Sequence, residues 1–177
     1  MGWHNMKSFR RLLARFCRRQ DGATAVEFAL IGLPFFALLL IVFETAAVLF
    51  TDAALQNGVN KTARLIRTGQ VQTQGISETT FRRTLCDNVA SYIDCAKIRL
   101  FVTKSPDLPI PNRTDLMAAT DETPQRWEIG AASEWVMVQV SYDWKLFIPQ
   151  ISMLNNIGSD KRRLTAGALF RNEPYGG

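Results

Sequence analysis

The sequence predicts an α+β protein in which a long N-terminal helix, apolar enough in its first half to cross a membrane, leads into a small domain built on an antiparallel sheet. Three observations predict it. Residues 28–43 read FALIGLPFFALLLIVF, without one charged side chain. Beyond that run, apolar residues recur at helical spacing as far as Ile66. Three later segments alternate apolar and polar residues with a period of two, as half-buried strands do. The chain so divides into a basic leader over 1–22, a transmembrane and extended helix over 23–68, and an α+β domain over 69–177.

The charge is distributed unevenly. The 177 residues hold 21 Lys and Arg against 16 Asp and Glu, a net charge of +5. In residues 1–22, Lys7, Arg10, Arg11, Arg15, Arg18 and Arg19 face Asp21 alone, which is 6 − 1 = +5. The remainder carries 21 − 6 = 15 basic and 16 − 1 = 15 acidic residues, a balance of zero. An excess confined to the residues before an apolar run is how orientation is written in membrane proteins. It keeps the N-terminus in the cytoplasm and sends everything after about Phe50 across. It also argues against a basic face for nucleic acid, and no nucleic-acid partner is expected. The leader interleaves Phe9, Leu12, Leu13 and Phe16 with its arginines. An amphipathic helix on the membrane surface and an unstructured tail both fit this pattern.

The uncharged run covers roughly 24 Å as a helix, short of the roughly 30 Å of a hydrocarbon core. To span, the helix must extend over about 25–45, with Glu27 and Glu44 close to opposite rims. Gly32 and Pro34 are tolerated inside a membrane helix. A cleaved secretory signal, cut near Ala46-Ala47, fits less well: the apolar run exceeds the usual signal core, and Glu44 stands just before the cut. An uncleaved single-span anchor remains open. Cys17 precedes the apolar run instead of following it, so it is no lipoprotein site. Gly2 lacks the Ser or Thr that myristoylation needs at Met6.

The segment ahead of the run is Arg18-Arg19-Gln20-Asp21-Gly22-Ala23-Thr24-Ala25-Val26-Glu27-Phe28. Glycine offers a protease no side chain and takes extended or strained backbone readily. A new amine on Ala23 would be cationic and one helical turn from Glu27, at i, i+4 spacing. A carboxylate beside hydrocarbon is costly and calls for a partner or a function. Spacing alone leaves open a rim glutamate that only positions the helix.

A basic leader ending in glycine, with glutamate five residues on and apolar helix after it, resembles the processing site of Tad-type prepilins and pseudopilins. The resemblance, to the TadE-like family, continues through residues 43–49 and the alanine-rich 52–64. It extends to the cysteine pair ahead of a strand, to Val140-Ser141-Tyr142-Asp143-Trp144 running on to Pro149, and to Phe170-Arg171-Asn172-Glu173-Pro174-Tyr175. It implies cleavage by a prepilin peptidase between Gly22 and Ala23, with Glu27 as the carboxylate that meets the N-terminal amine of a neighbouring subunit and Phe28 beside it in that contact. It also implies a bacterial inner-membrane location with a periplasmic C-terminal domain. The partners implied are other Tad pilins and pseudopilins and the pilus assembly platform.

Past the span, Leu55, Val59, Ala63 and Ile66 form one apolar stripe, read as core. Lys61, Arg64 and Arg67 favour a helix C-terminus, and Gly69 is its stop. Residues 69–76 read as a turn or loop. Ser77 is an N-cap, and Phe81, Leu85, Val89 and Tyr92 follow at helical spacing. Were this helix to run through both Cys86 and Cys95, their Cα atoms would lie roughly 13 Å apart, too far for a bridge. The helix is therefore expected to end near Tyr92 and the chain to double back. In an oxidising periplasm this predicts a Cys86–Cys95 disulfide. Two cysteines with no histidine nearby are too few ligands for a metal.

Lys97 to Thr103 predicts a strand with Ile98, Leu100 and Val102 on one face. Residues 104–126, with four prolines, form a polar connection. Trp127 to Ile129 suggests a short strand and Glu134 to Tyr142 a clear one, with Val136, Val138, Val140 and Tyr142 inward. Ile151 to Ile157 suggests a short helix ended by Gly158. Leu164 to Phe170 predicts the last strand. The sum is a lollipop: a long helix packed on a small antiparallel sheet.

No catalytic constellation emerges, and no cofactor is expected. His4 is the one histidine, so a Ser-His-Asp or Cys-His arrangement in the domain is excluded. Walker, dinucleotide and zinc-peptidase patterns are absent. Acid beside aromatic at Glu128-Trp127 and Asp143-Trp144 admits a carbohydrate site, but such pairs are more often rim positions. The expected role is pilus assembly, with an anchored periplasmic interaction domain as the alternative.

Overall fold

The structure, a computed structural model, describes residues 22–89, 93–107 and 124–175. The chain forms two compact units that meet in sequence between Val42 and Phe43. One helix, α1 (Ala23–Arg67), runs through that boundary with Pro34 inside it. Its N-terminal part is apolar all round: Phe28, Leu30, Ile31, Leu33, Phe35, Phe36 and Leu38 are each more than half exposed. It is long and apolar enough to cross a membrane. A helix with no polar face needs a solvent as apolar as itself.

In the second unit, the C-terminal part of α1 is amphipathic, and the expected stripe is its buried face. Leu55, Val59 and Ile66 are wholly buried, and Ala63 is 2% exposed. Gly58 lets the end of the next long helix come close, since a Cβ there would stand 2.5 Å from the Val89 side chain. α1 stops where glycine permits it: Gly69 has φ 74°.

The reading of 69–76 as a turn or loop is corrected here, because Gln70–Gln74 makes a short helix, α2, with Val71 buried. The left-handed residues Gly69 and Gly75 bracket this turn, and Thr73 returns a hydroxyl hydrogen bond of 2.8 Å to the Gly69 carbonyl. α3 (Glu78–Asn88) starts at the expected cap, the Thr80 N–H donating to Ser77 Oγ at 3.3 Å. It ends at Asn88, earlier than the expected Tyr92, which lies outside the described residues.

Three strands make an antiparallel sheet in the order β1 (Arg99–Ser105), β2 (Trp135–Lys145), β3 (Lys161–Arg171). Alternation chose their faces correctly. Ile98, Leu100 and Val102, and Val136, Val138, Val140 and Tyr142, are buried in one core with the α1 stripe, Phe81 and Leu85. The α+β class is thus as the sequence predicts.

Two smaller expectations are corrected. Trp127–Ile129 is no strand; it makes a single parallel bridge at Val102, whose N–H donates to the Arg126 carbonyl and whose carbonyl accepts from Glu128. The helix expected over 151–157 is instead α4 (Pro149–Ser152), set by Pro149 in its first turn and ended at Met153, which is left-handed at φ 51°. Gly158, expected to end that helix, lies in the turn that leads into β3.

The outer edge of β3 is covered by side-chain amides. Asn156 accepts from the Arg163 N–H at 2.6 Å and donates to its carbonyl at 3.0 Å. Gln56 of α1 does the same for Gly167, at 3.2 and 2.9 Å. Each amide occupies the pair of backbone groups that another strand would use.

Candidate processing and assembly segment

Gly22 stands immediately before α1, exposed, and among the described residues nothing lies within 4 Å of the position its Cβ would take. Ala23 is the first residue of the helix. Glu27 lies one turn further on, exposed, and Phe28 is 70% exposed. Helical geometry puts Ala23 and Glu27 on one face, where the amine of a chain starting at Ala23 and this carboxylate are neighbours. The Phe28 ring lies back over Gly32. Residues 1–21, with the basic leader, His4 and Cys17, lie outside the described residues.

Cys86 and Cys95 form a disulfide, with Cα atoms 5.9 Å apart. The chain doubles back as the spacing requires: Cys86 is in the last turn of α3, and Cys95 opens a single 3-10 turn capped by Asp94. Asp94 accepts from the Ala96 N–H at 3.1 Å and pairs with Lys97 at 2.9 Å. Lys97 and the Ala96 amide hold its carboxyl below the usual aspartate range. Among the described residues, no group of three or more His, Cys, Asp or Glu could hold a metal.

Two polar sites escaped the sequence reading. Glu44 was expected at a membrane rim; its side chain is folded against the domain and is 4% exposed. Its Oε1 accepts from the Phe147 N–H and, at 3.1 Å, from the Ile148 N–H. The partners are about a hundred residues away in sequence, so no local pattern announced them. The second site is Asp143. It accepts from Arg163 at 2.6 and 2.9 Å and from Arg99 at 2.8 Å. Burial pushes its carboxyl up, but the two guanidiniums outweigh that and hold it at about 2. Asp143 faces Arg163 across the β2–β3 ladder. A carboxylate so neutralised is a structural clamp, and Trp127 packs on Phe81 at 5.0 Å.

The C-terminal run 170–175 also has a structural part. Asn172 is buried, donating to the Ile129 and Ala131 carbonyls at 3.0 Å each. The Glu173 N–H donates to the Arg67 carbonyl at 2.8 Å. The Tyr175 ring covers Gly69 so closely that a Cβ there would stand 2.4 Å from it.

These features define a class: a long helix with an apolar, membrane-compatible N-terminal part, carried into a disulfide-bonded α+β unit. Within that class, residues 22–64 match the family model described as TadE-like protein. The match bears out the resemblance over this segment, and its first residue is Gly22. It ends at Arg64, ahead of the disulfide and the sheet. The family is associated with the Tad pilus system and is not a family of enzymes. No curated protein and no solved structure matches the chain.

Proposed function

We propose that the protein is a minor pilin or pseudopilin that supports assembly of a Tad/Flp-type pilus at a bacterial inner membrane. Prepilin peptidase cuts between Gly22 and Ala23. The mature helix stays in the membrane, with Glu27 meeting the Ala23 amine of a neighbouring subunit and Phe28 packing beside it. The cytoplasmic leader carries the orienting charge, and the domain over 69–177 lies in the periplasm. Other Tad pilins or pseudopilins and the assembly platform are its partners.

The observation that carries this reading is that the family match opens on Gly22 and runs along α1, through its apolar part, to Arg64. Gly22 is exposed, and a glycine offers a protease no side chain to obstruct it. The Cys86–Cys95 bridge supports an oxidising location for the domain.

N-terminal sequencing of the protein extracted from its native membranes tests the proposal. A chain starting at Ala23 is the expected result, and Gly22→Trp should abolish that species. An intact start in the unaltered protein would overturn processing and leave an uncleaved anchor that presents the domain to an envelope complex.

A further inference from the structure

At one end of the sheet, the chain between β2 and β3 exposes a group of large apolar side chains. Phe147 is 74% exposed, Met153 85% and Ile151 44%. The Phe147 ring is steadied edge-on against Trp144, centroids 6.0 Å apart. The short helix α4 and the left-handed Met153 fix how Ile151 and Met153 are presented. A monomer in water gains nothing by holding phenylalanine and methionine out in this way.

Basic side chains outnumber acidic ones on the exposed rim of the group. Lys145 and Lys161 face each other as direct partners in the β2–β3 register, and both are exposed. Like charges opposite each other destabilise a sheet unless something anionic lies against them. Arg162 follows Lys161, and its side chain donates to the Leu154 carbonyl at 2.8 Å. The acids nearby are Asp160, beside Lys161; Asp143, paired with Arg99 and Arg163; and Glu44, buried under the loop with its carboxylate on the Phe147 and Ile148 amides. Apolar side chains rimmed by lysine, with an aromatic pair beside them, fit the headgroup layer of an anionic bilayer.

Glu44 ties this end to one level of the chain. It directly follows Phe43, the last residue of the uncharged run, and its carboxylate holds the Phe147 and Ile148 amides. The loop is thereby fixed beside the helical turn at which the apolar run ends.

We propose that Phe147, Ile151 and Met153, flanked by Lys145 and Lys161, rest in the interface of an anionic lipid bilayer as a second membrane contact of the chain. The proposal rests on the reading that the apolar part of α1 spans a membrane, and its test keeps the two apart.

The full chain, with Cys17→Ser, receives a single labelling cysteine as Met153→Cys, Leu38→Cys or Ala132→Cys, each coupled to an environment-sensitive nitrobenzoxadiazole dye. Ala132 precedes β2 at the end of the strand away from Lys145, about 35 Å off for eleven residues of strand. Each protein is reconstituted into phosphatidylglycerol–phosphatidylethanolamine vesicles containing lipid with a spin label high on its acyl chain. Strong quenching at 153, comparable with that at 38 and absent at 132, is the expected result. Lys145→Glu with Lys161→Glu should then reduce quenching at 153 alone. Quenching at 38 without quenching at 153 overturns the proposal and leaves the span intact. So does a probe at 153 that is shielded from aqueous iodide yet untouched by the spin label, since a second protein then covers it. Loss of quenching at 38 overturns the spanning reading, and the result at 153 then decides the lipid contact by itself.

Discussion

Asp143 shows what one residue does when the sheet brings it two arginines, Arg163 directly opposite and Arg99 on the diagonal. An ordinary aspartate titrates near 3.8; here the carboxyl is held at about 2, its burial outweighed by hydrogen bonds from Arg163 and Arg99. A carboxyl whose proton affinity falls on folding stabilises the fold wherever it is ionised in both states. That contribution is complete above about pH 5 and drains away as pH falls toward and through about 2. Thermal unfolding of the detergent-solubilised chain, followed by tryptophan fluorescence, should therefore show a melting temperature that declines over this acid range. Asp143→Asn should lower stability at pH 7 by about 2–3 kcal/mol, since it removes the charge from buried hydrogen bonds, and should flatten the acid decline. A variant as acid-sensitive as the parent would show that another group sets the slope.

At the scale of elements, periodicity was a sound guide wherever a segment met the core on one face. The α1 stripe and the alternation of β1, β2 and β3 were legible because burial selects side chains at the spacing of the element itself. Short elements were not. Gln70–Gln74 and Pro149–Ser152 are too brief to show a period, and their limits are set by left-handed backbone at Gly69, Gly75 and Met153. The non-glycine Met153 gave no signal of that conformation. Of the candidate site, the proposed roles of Gly22, Ala23 and Glu27 rest on nearly consecutive residues, so the sequence alone could suggest them. Glu44 was not legible, because its partners come from the far end of the sheet. The disulfide lies between these cases: the spacing required a reversal, and α3 supplies it by ending at Asn88. Closing a loop with a separation of nine residues should contribute about 2–3 kcal/mol. Cys86→Ser with Cys95→Ser should lower the urea midpoint by about 1–2 M, at the usual denaturant sensitivity of a small domain. An unchanged midpoint would mean that the Asp94 cap and the surrounding core hold the reversal without the bond.

For the whole molecule, the deciding quantity is where the charge lies. Fifteen basic and fifteen acidic residues balance after residue 22, so the +5 belongs entirely to the leader, and in the proposed topology it is this charge that orients the chain. Peptidase cleavage would remove the orienting charge once it had acted and leave a neutral chain whose apolar helix remains in the bilayer. Glu27 is then the first acid of the mature chain, close to the new amine, where a carboxylate at the edge of the hydrocarbon has a use. On that proposal orientation is fixed before processing, because the Lys and Arg that set it leave with the leader. Replacing Lys7, Arg10, Arg11, Arg15, Arg18 and Arg19 by glutamine should consequently scramble orientation even though every residue of the mature chain is unchanged. Ala132→Cys reports this in spheroplasts treated with a membrane-impermeant maleimide. With the native leader the cysteine should label fully without lysis. With the neutral leader the externally labelled fraction should fall, and the species starting at Ala23 should fall with it. If the native-leader protein labels only after lysis, the domain lies in the cytoplasm, and both the periplasmic placement and the role of the leader charge are lost together.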